Sequence, residues 1–83
     1  MKRISLSEGI KSIPNSVFGG CSSLITIVIP ASLKSIGPNA FNGALSLEKV
    51  YYRGSEEEWN SIDISYANFG LDNAKIIFNY TGE

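Results

Sequence analysis

The amino-acid sequence predicts an α/β solenoid, with short parallel β-strands stacked one per coil of about 23 residues, short helical turns and a C-terminal cap. Three observations predict it. The chain repeats itself at a fixed offset. Each repeat holds an apolar run with strand spacing. The pattern stops at Ser55, where a helix-start signal opens a different kind of unit.

The offset shows when residues 4–27 are laid on residues 27–50. Eight positions are then identical: Ile4/Ile27, Lys11/Lys34, Ser12/Ser35, Ile13/Ile36, Phe18/Phe41, Gly20/Gly43, Ser23/Ser46 and Leu24/Leu47. Leu6/Ile29, Ile10/Leu33, Val17/Ala40, Cys21/Ala44 and Ile27/Val50 are conservative exchanges. The units run over about 4–26 and 27–49, a capping unit over about 50–80, and the whole of 1–83 forms a single domain.

Each element follows from the unit. Leu24-x-x-Ile27-x-Ile29 and Leu47-x-x-Val50-x-Tyr52 place a short strand in each coil, with alternate residues facing in. Strands are expected near 4–6, 26–29, 49–52 and 75–79, all parallel, because each coil returns to the start of the next. Pro30 cannot donate to a ladder and ends its strand. Leu33 and Ile36 fit a second short extended or turn segment, Asn39-Ala40-Phe41 fits a helical turn, and Gly43 fits a reversal with positive φ. Phe18, Phe41, Ile13, Ile36, Leu24, Leu47 and Trp59 are expected to share one core.

The capping unit opens with Ser55-Glu56-Glu57-Glu58, a capping box with Ser55 at the N-cap and Glu58 at N3. A helix is expected over roughly 56–62, burying Trp59 and Ile62, then loop from Asn68 to Asn73, then a last strand with Ile76 and Phe78 inward. No matching cap stands at the other end. There the strand around Ile4 is expected to expose an unpaired edge, which favours a homo-oligomer through that end or an excerpt from a longer array. Lys2 and Arg3, charged residues of the kind that blunt an edge, favour a monomer instead.

Composition excludes more than it assigns. Seven basic and eight acidic residues leave a net charge of −1, so no electrostatic case arises for nucleic acid or an anionic membrane. No window approaches a membrane span, so membrane insertion is not expected, and no signal peptide is visible in this chain. There is no histidine, so Cys21 lacks a base to activate it, and it reads as a small core residue. One cysteine without histidine supports no zinc set. Glu56, Glu57, Glu58, Asp63 and Asp72 read as cap and solvated surface rather than as acid–base pairs or calcium ligands. Gly19-Gly20 lacks the lysine of a phosphate loop. Asn79-Tyr80-Thr81 matches the three-residue N-glycosylation sequon, which on the tail reads as incidental. The expectation is a chain that is not an enzyme and takes no cofactor or metal.

The strand faces carry the candidate site. With Ile27 and Ile29 inward, Thr26 and Val28 face out. Their equivalents are Arg3 and Ser5 in the first coil, then Lys49 and Tyr51 in the third, with Arg53 at the far end. Rows about 4.8 Å apart would align these residues as a ligand-binding surface. Tyr and Arg are favoured at binding hot spots. The competing reading is an ordinary solvated sheet face.

The run IVIPASLKSIGPNAFNGALSLEKV resembles the BspA-like, or treponemal-type, leucine-rich repeat. Ile27, Ile29, Pro30, Ser32, Leu33, Ile36, Gly37, Ala40, Phe41, Gly43 and Leu47 stand at its pattern positions. The first unit departs from the pattern at Ser7, Gly9, Pro14 and Val17, while Cys21 keeps a cysteine that Ala44 lacks. The segment from Val50 to Tyr80 resembles the unit that closes such arrays. The resemblance implies an extracellular or cell-surface protein of host-associated bacteria, working in adhesion or recognition on a protein or glycan ligand. The alternative is a structural terminal cap or spacer with no ligand of its own.

Overall fold

The computed structural model describes residues 3–66, 68–72 and 74–82, with every side chain among them except those of Phe69 and Asp72. In chain order the elements are β1 (Arg3–Ser5), β2 (Ser12–Ile13), β3 (Thr26–Ile29), β4 (Ser35–Ile36), β5 (Lys49–Tyr52), α1 (Glu56–Asn60), β6 (Asp63–Ile64), α2 (Phe69–Asp72) and β7 (Lys75–Ile77). One parallel sheet runs β1-β3-β5-β7 and a second runs β2-β4-β6. Each coil contributes one strand to each sheet before the chain returns. That is the solenoid expected from the repeat.

The register is the sequence offset made physical. Ile4 faces Ile27 and Ile27 faces Val50, so each step across the sheet is one repeat. Val50 then faces Ile76, and in the other sheet Ser35 faces Asp63, both steps longer than the repeat. The capping unit is longer because it fits α1 between the two sheets' strands.

Alternation along the strands fills the core. Ile27, Ile29, Val50 and Tyr52 from one sheet meet Ile13 and Ile36 from the other, with Leu24, Leu33, Phe41 and Leu47 between. Phe18 stacks on Phe41 with ring centroids 5.1 Å apart, so equivalent residues of successive coils touch directly. Burying each such side chain contributes about 1.5–3 kcal/mol. Trp59 meets Tyr52 edge-on at 5.1 Å and packs on the core, but it is half-buried rather than buried as expected, and Ile62, which is buried, lies past the end of the helix. Ile76 and Phe78 also pack on the core, half-buried. So does Cys21.

The turns differ from expectation in one respect. Asn39-Ala40-Phe41 is not a turn of helix, because Asn39 has φ 61°. Ser16, its equivalent one coil earlier, has φ 63°, and Gly20 and Gly43 follow with φ 79° and 96°. The left-handed positions repeat with the coil. A Cβ on Gly43 would also lie 2.8 Å from the backbone nitrogen of Gly20, so the two glycines are in close contact between coils.

The cap differs in three. α1 stops at Asn60, with Ser61 as its C-cap, rather than reaching 62. The Asn68–Asn73 segment is not all loop, since α2 spans Phe69–Asp72; Asn73 itself lies outside the described residues. β7 ends at Ile77 because Asn79 turns left-handed at φ 56°.

Asn68 explains how α2 docks. Between the first two coils, the Phe18 N–H donates to the Ala40 carbonyl at 2.8 Å and the Gly20 N–H to the Asn42 carbonyl at 2.9 Å. One coil on, the Phe41 N–H donates to the side-chain oxygen of Asn68 at 2.9 Å. The Asn68 amide donates in turn to the carbonyls of Ser65 (2.9 Å) and Gly37 (3.1 Å). A buried side chain thus replaces the main chain of a further coil. Gly70 lets α2 lie close, since a Cβ there would come within 2.8 Å of the Phe41 and Ala44 carbonyls.

Candidate interaction face

The outward face of the four-stranded sheet carries two rows fixed by the register. One is Arg3, Thr26, Lys49 and Lys75; the other is Ser5, Val28, Tyr51 and Ile77. Every residue predicted for this face lies on it, and Arg53 follows directly from β5. Two expectations need correction or extension. Val28 points away from the core but is 0% exposed, so no ligand reaches it. It lies on β3 between Ser5 and Tyr51, and the contact of Arg3 with the Tyr51 ring spans that strand. Alternation gives a side chain's direction and not what covers it. Lys75 and Ile77 join the rows from β7, where the step across the sheet outgrows the repeat and the simple offset no longer points to them.

A second group forms around Tyr80. The Tyr51 and Tyr80 rings stack with centroids 4.3 Å apart and planes 23° apart. The Arg3 guanidinium carbon lies 5.9 Å from the Tyr51 centroid, and that of Arg53 lies 5.4 Å from the Tyr80 centroid. Arg3 Nη2 donates to the Tyr80 hydroxyl at 3.2 Å, and Arg53 Nη1 to the Tyr80 carbonyl at 3.5 Å. Arg53 Nε also lies 3.6 Å from the largely exposed Glu8 carboxylate. Each cation–π contact contributes about 0.5–1 kcal/mol at such sites. The larger effect is order, since the two guanidiniums are each held against a tyrosine ring. Tyr80 and Glu8 were not predicted. Tyr80 reaches the face because the left-handed Asn79 resets the alternation, and its N–H then donates to the Tyr52 carbonyl at 3.0 Å. The one available signal was an asparagine, which tolerates that conformation, just past the strand.

Charge is unevenly spread. Arg3, Lys49, Lys75 and Arg53 gather on this face, against the paired Glu8 and with Glu48 at its margin. Glu56, Glu57 and Glu58 lie on α1, and Asp63 lies in the other sheet. The near-neutral composition conceals this segregation.

The rest of the described surface offers less. A cavity of about 50 Å³ lies beside Lys34, Tyr52, Glu58 and Ser61, room for water rather than a sugar or cofactor. Burial first, and the Glu58 carboxylate second, push the Tyr52 hydroxyl above its ordinary value. Among the described residues, no three metal-ligating side chains come together and no helix is long and apolar enough to cross a membrane.

Comparison with known proteins gives one match. A family model for the BspA type leucine rich repeat region (6 copies) matches residues 1–77. No curated protein and no solved structure matches the chain significantly. The matched span takes in both sheets and the strand face, and repeat families of this kind typically bind partners rather than catalyse reactions. The chain belongs to the BspA-type leucine-rich-repeat family.

Proposed function

We propose that this chain is the interaction module of a bacterial surface protein, serving adhesion or recognition through its strand-lined face. The observation that carries the reading is the ordered Arg3–Tyr51–Tyr80–Arg53 group beside a row of lysines. Tyrosine and arginine held rigid before contact are what a binding surface needs. The ligand is a protein or glycan met outside the cell. The test is binding of the immobilised chain to a set of extracellular-matrix proteins and mucin-type glycans. Tyr51→Ala with Arg53→Ala should abolish binding, whereas Glu56→Gln with Glu57→Gln on α1 should leave it unchanged. Equal loss from both pairs, or no binding at all, would overturn the reading.

A specific observation also favours the second reading, a structural terminal unit. Ile4, Leu6, Ile10 and Cys21 are half-buried and Val17 is 48% exposed, whereas their equivalents Ile27, Ile29, Leu33, Ala44 and Ala40 are at most 2% exposed. The first coil therefore presents an apolar face that another coil covers in the second. A further repeat unit or a second copy of this chain would fit there. Light scattering from micromolar to millimolar protein checks the second copy, with a concentration-dependent dimer expected. A monomer throughout that range would remove it.

A further inference from the structure

We infer that the strand face accepts an acidic, extended protein segment, whose carboxylates lie across the Lys49–Lys75 pair. The inference rests on the reading of this face as an interaction surface and names the chemistry of its partner.

The register carries the argument. Parallel pairing sets Lys49 directly beside Lys75, with Arg3 two strands further along the same row. Neighbouring strands are about 4.8 Å apart, so the two lysines are like charges at close quarters. Like charges directly opposite one another across strands destabilise a sheet. Among the described residues, Arg53 pairs with Glu8, and neither Lys49 nor Lys75 has an acidic partner. A carboxylate laid across the strands relieves that repulsion. Four of the chain's eight acidic residues lie elsewhere, on α1 and at Asp63, while Glu8 is already engaged by Arg53.

The neighbouring rings choose between a protein and a sugar. A glycan would bind tyrosine by stacking on an open ring face. Here Tyr51 and Tyr80 present faces to each other, and each is also approached by a guanidinium. Ile77 and the ring edges remain as an apolar margin beside the lysine row. Arg53, ordered against the Tyr80 ring, adds a fork-shaped donor of the kind that suits carboxylates. Cations in a row with an apolar margin fit a peptide whose acidic residues alternate with apolar ones.

The experiment uses a fluorescent peptide of alternating glutamate and leucine as probe, with heparin as the competing polyanion. Saturable binding that weakens with added salt is expected. Lys49→Gln with Lys75→Gln should weaken it about tenfold while the melting temperature holds or rises, since the like-charge contact is removed. Glu56→Gln with Glu57→Gln should not weaken it. Absence of peptide binding, or binding indifferent to the lysine pair, would overturn the inference. Heparin binding tighter than the peptide through the same lysines would overturn it in favour of an acidic glycan. If the lysine pair leaves binding to matrix proteins intact while Tyr51→Ala abolishes it, the acidic segment fails and the interaction face stands.

Discussion

The side-chain oxygen of Asn68 accepts the backbone N–H of Phe41 at 2.9 Å, taking the place that a main-chain carbonyl holds one coil earlier. Removing that acceptor leaves a buried donor unpaired. Asn68→Ala should therefore cost about 1–3 kcal/mol. Asn68→Asp keeps the acceptor but turns the amide donor into an oxygen facing the Gly37 and Ser65 carbonyls, so it should destabilise as well. Urea denaturation of the two variants checks both. An unchanged midpoint for either would show that water replaces the side chain.

Phe41 is fully buried and stacks on Phe18. Phe41→Ala should cost about 3–5 kcal/mol, a large part of the stability of so small a domain. Phe18, in the coil with the open face, retains some exposure, and Phe18→Ala should cost less. Denaturant midpoints for the pair order them. A reversed order would mean that the first coil is the better packed.

The capping box of α1 is complete. The Glu58 N–H donates to Ser55 Oγ at 3.2 Å, and the Ser55 N–H donates to Glu58 Oε1 at 2.9 Å. Ser55→Ala should cost about 1 kcal/mol. Because the bonds are reciprocal, Ser55→Ala and Glu58→Ala should combine non-additively in a double-mutant cycle. Additive losses would show that the two bonds act separately.

Tyr52 supplies a pH dependence. Burial, and then Glu58, raise its pKa, so the folded state favours the neutral phenol. The unfolded chain would ionise near the ordinary value of 10.0. The contribution is therefore fully present below about pH 10 and is lost as pH rises through the folded-state value. Melting temperature should fall across that range in the wild type and fall less in Tyr52→Phe. Parallel curves for the two proteins would exclude Tyr52 as the cause.

What was legible followed from side chains that repeat. Ile4, Ile27 and Val50 announce the register because the core demands an apolar group at each turn. Ser55 and Glu58 announce α1 because their chemistry is local. The repeat is silent on Asn68 and Tyr80 because each acts through one main-chain event that no repeat records: a side chain standing in for a carbonyl, and a left-handed residue resetting a strand. Alternation sets Val28 on the outward face but does not show that it is covered, since the cover over β3 comes from residues distant in sequence. The tyrosine–arginine group was half visible for the same reason: Arg3, Tyr51 and Arg53 fall in the repeat and its extension, whereas Tyr80 lies beyond it.

The recurrence of left-handed backbone at Ser16 and Asn39, and again at Gly20 and Gly43, has a consequence for how such genes change. The side chain differs between Ser16 and Asn39 and is absent from both Gly20 and Gly43, while the bend stays in phase. Recombination between misaligned copies adds or removes a whole coil at once. Such an event preserves the phase of every bend, and the new neighbours still meet donor to acceptor. An insertion of any other length would put a bend where a strand belongs. Arrays of this kind are therefore free to vary in length by whole coils, and point changes between coils accumulate without disturbing the frame.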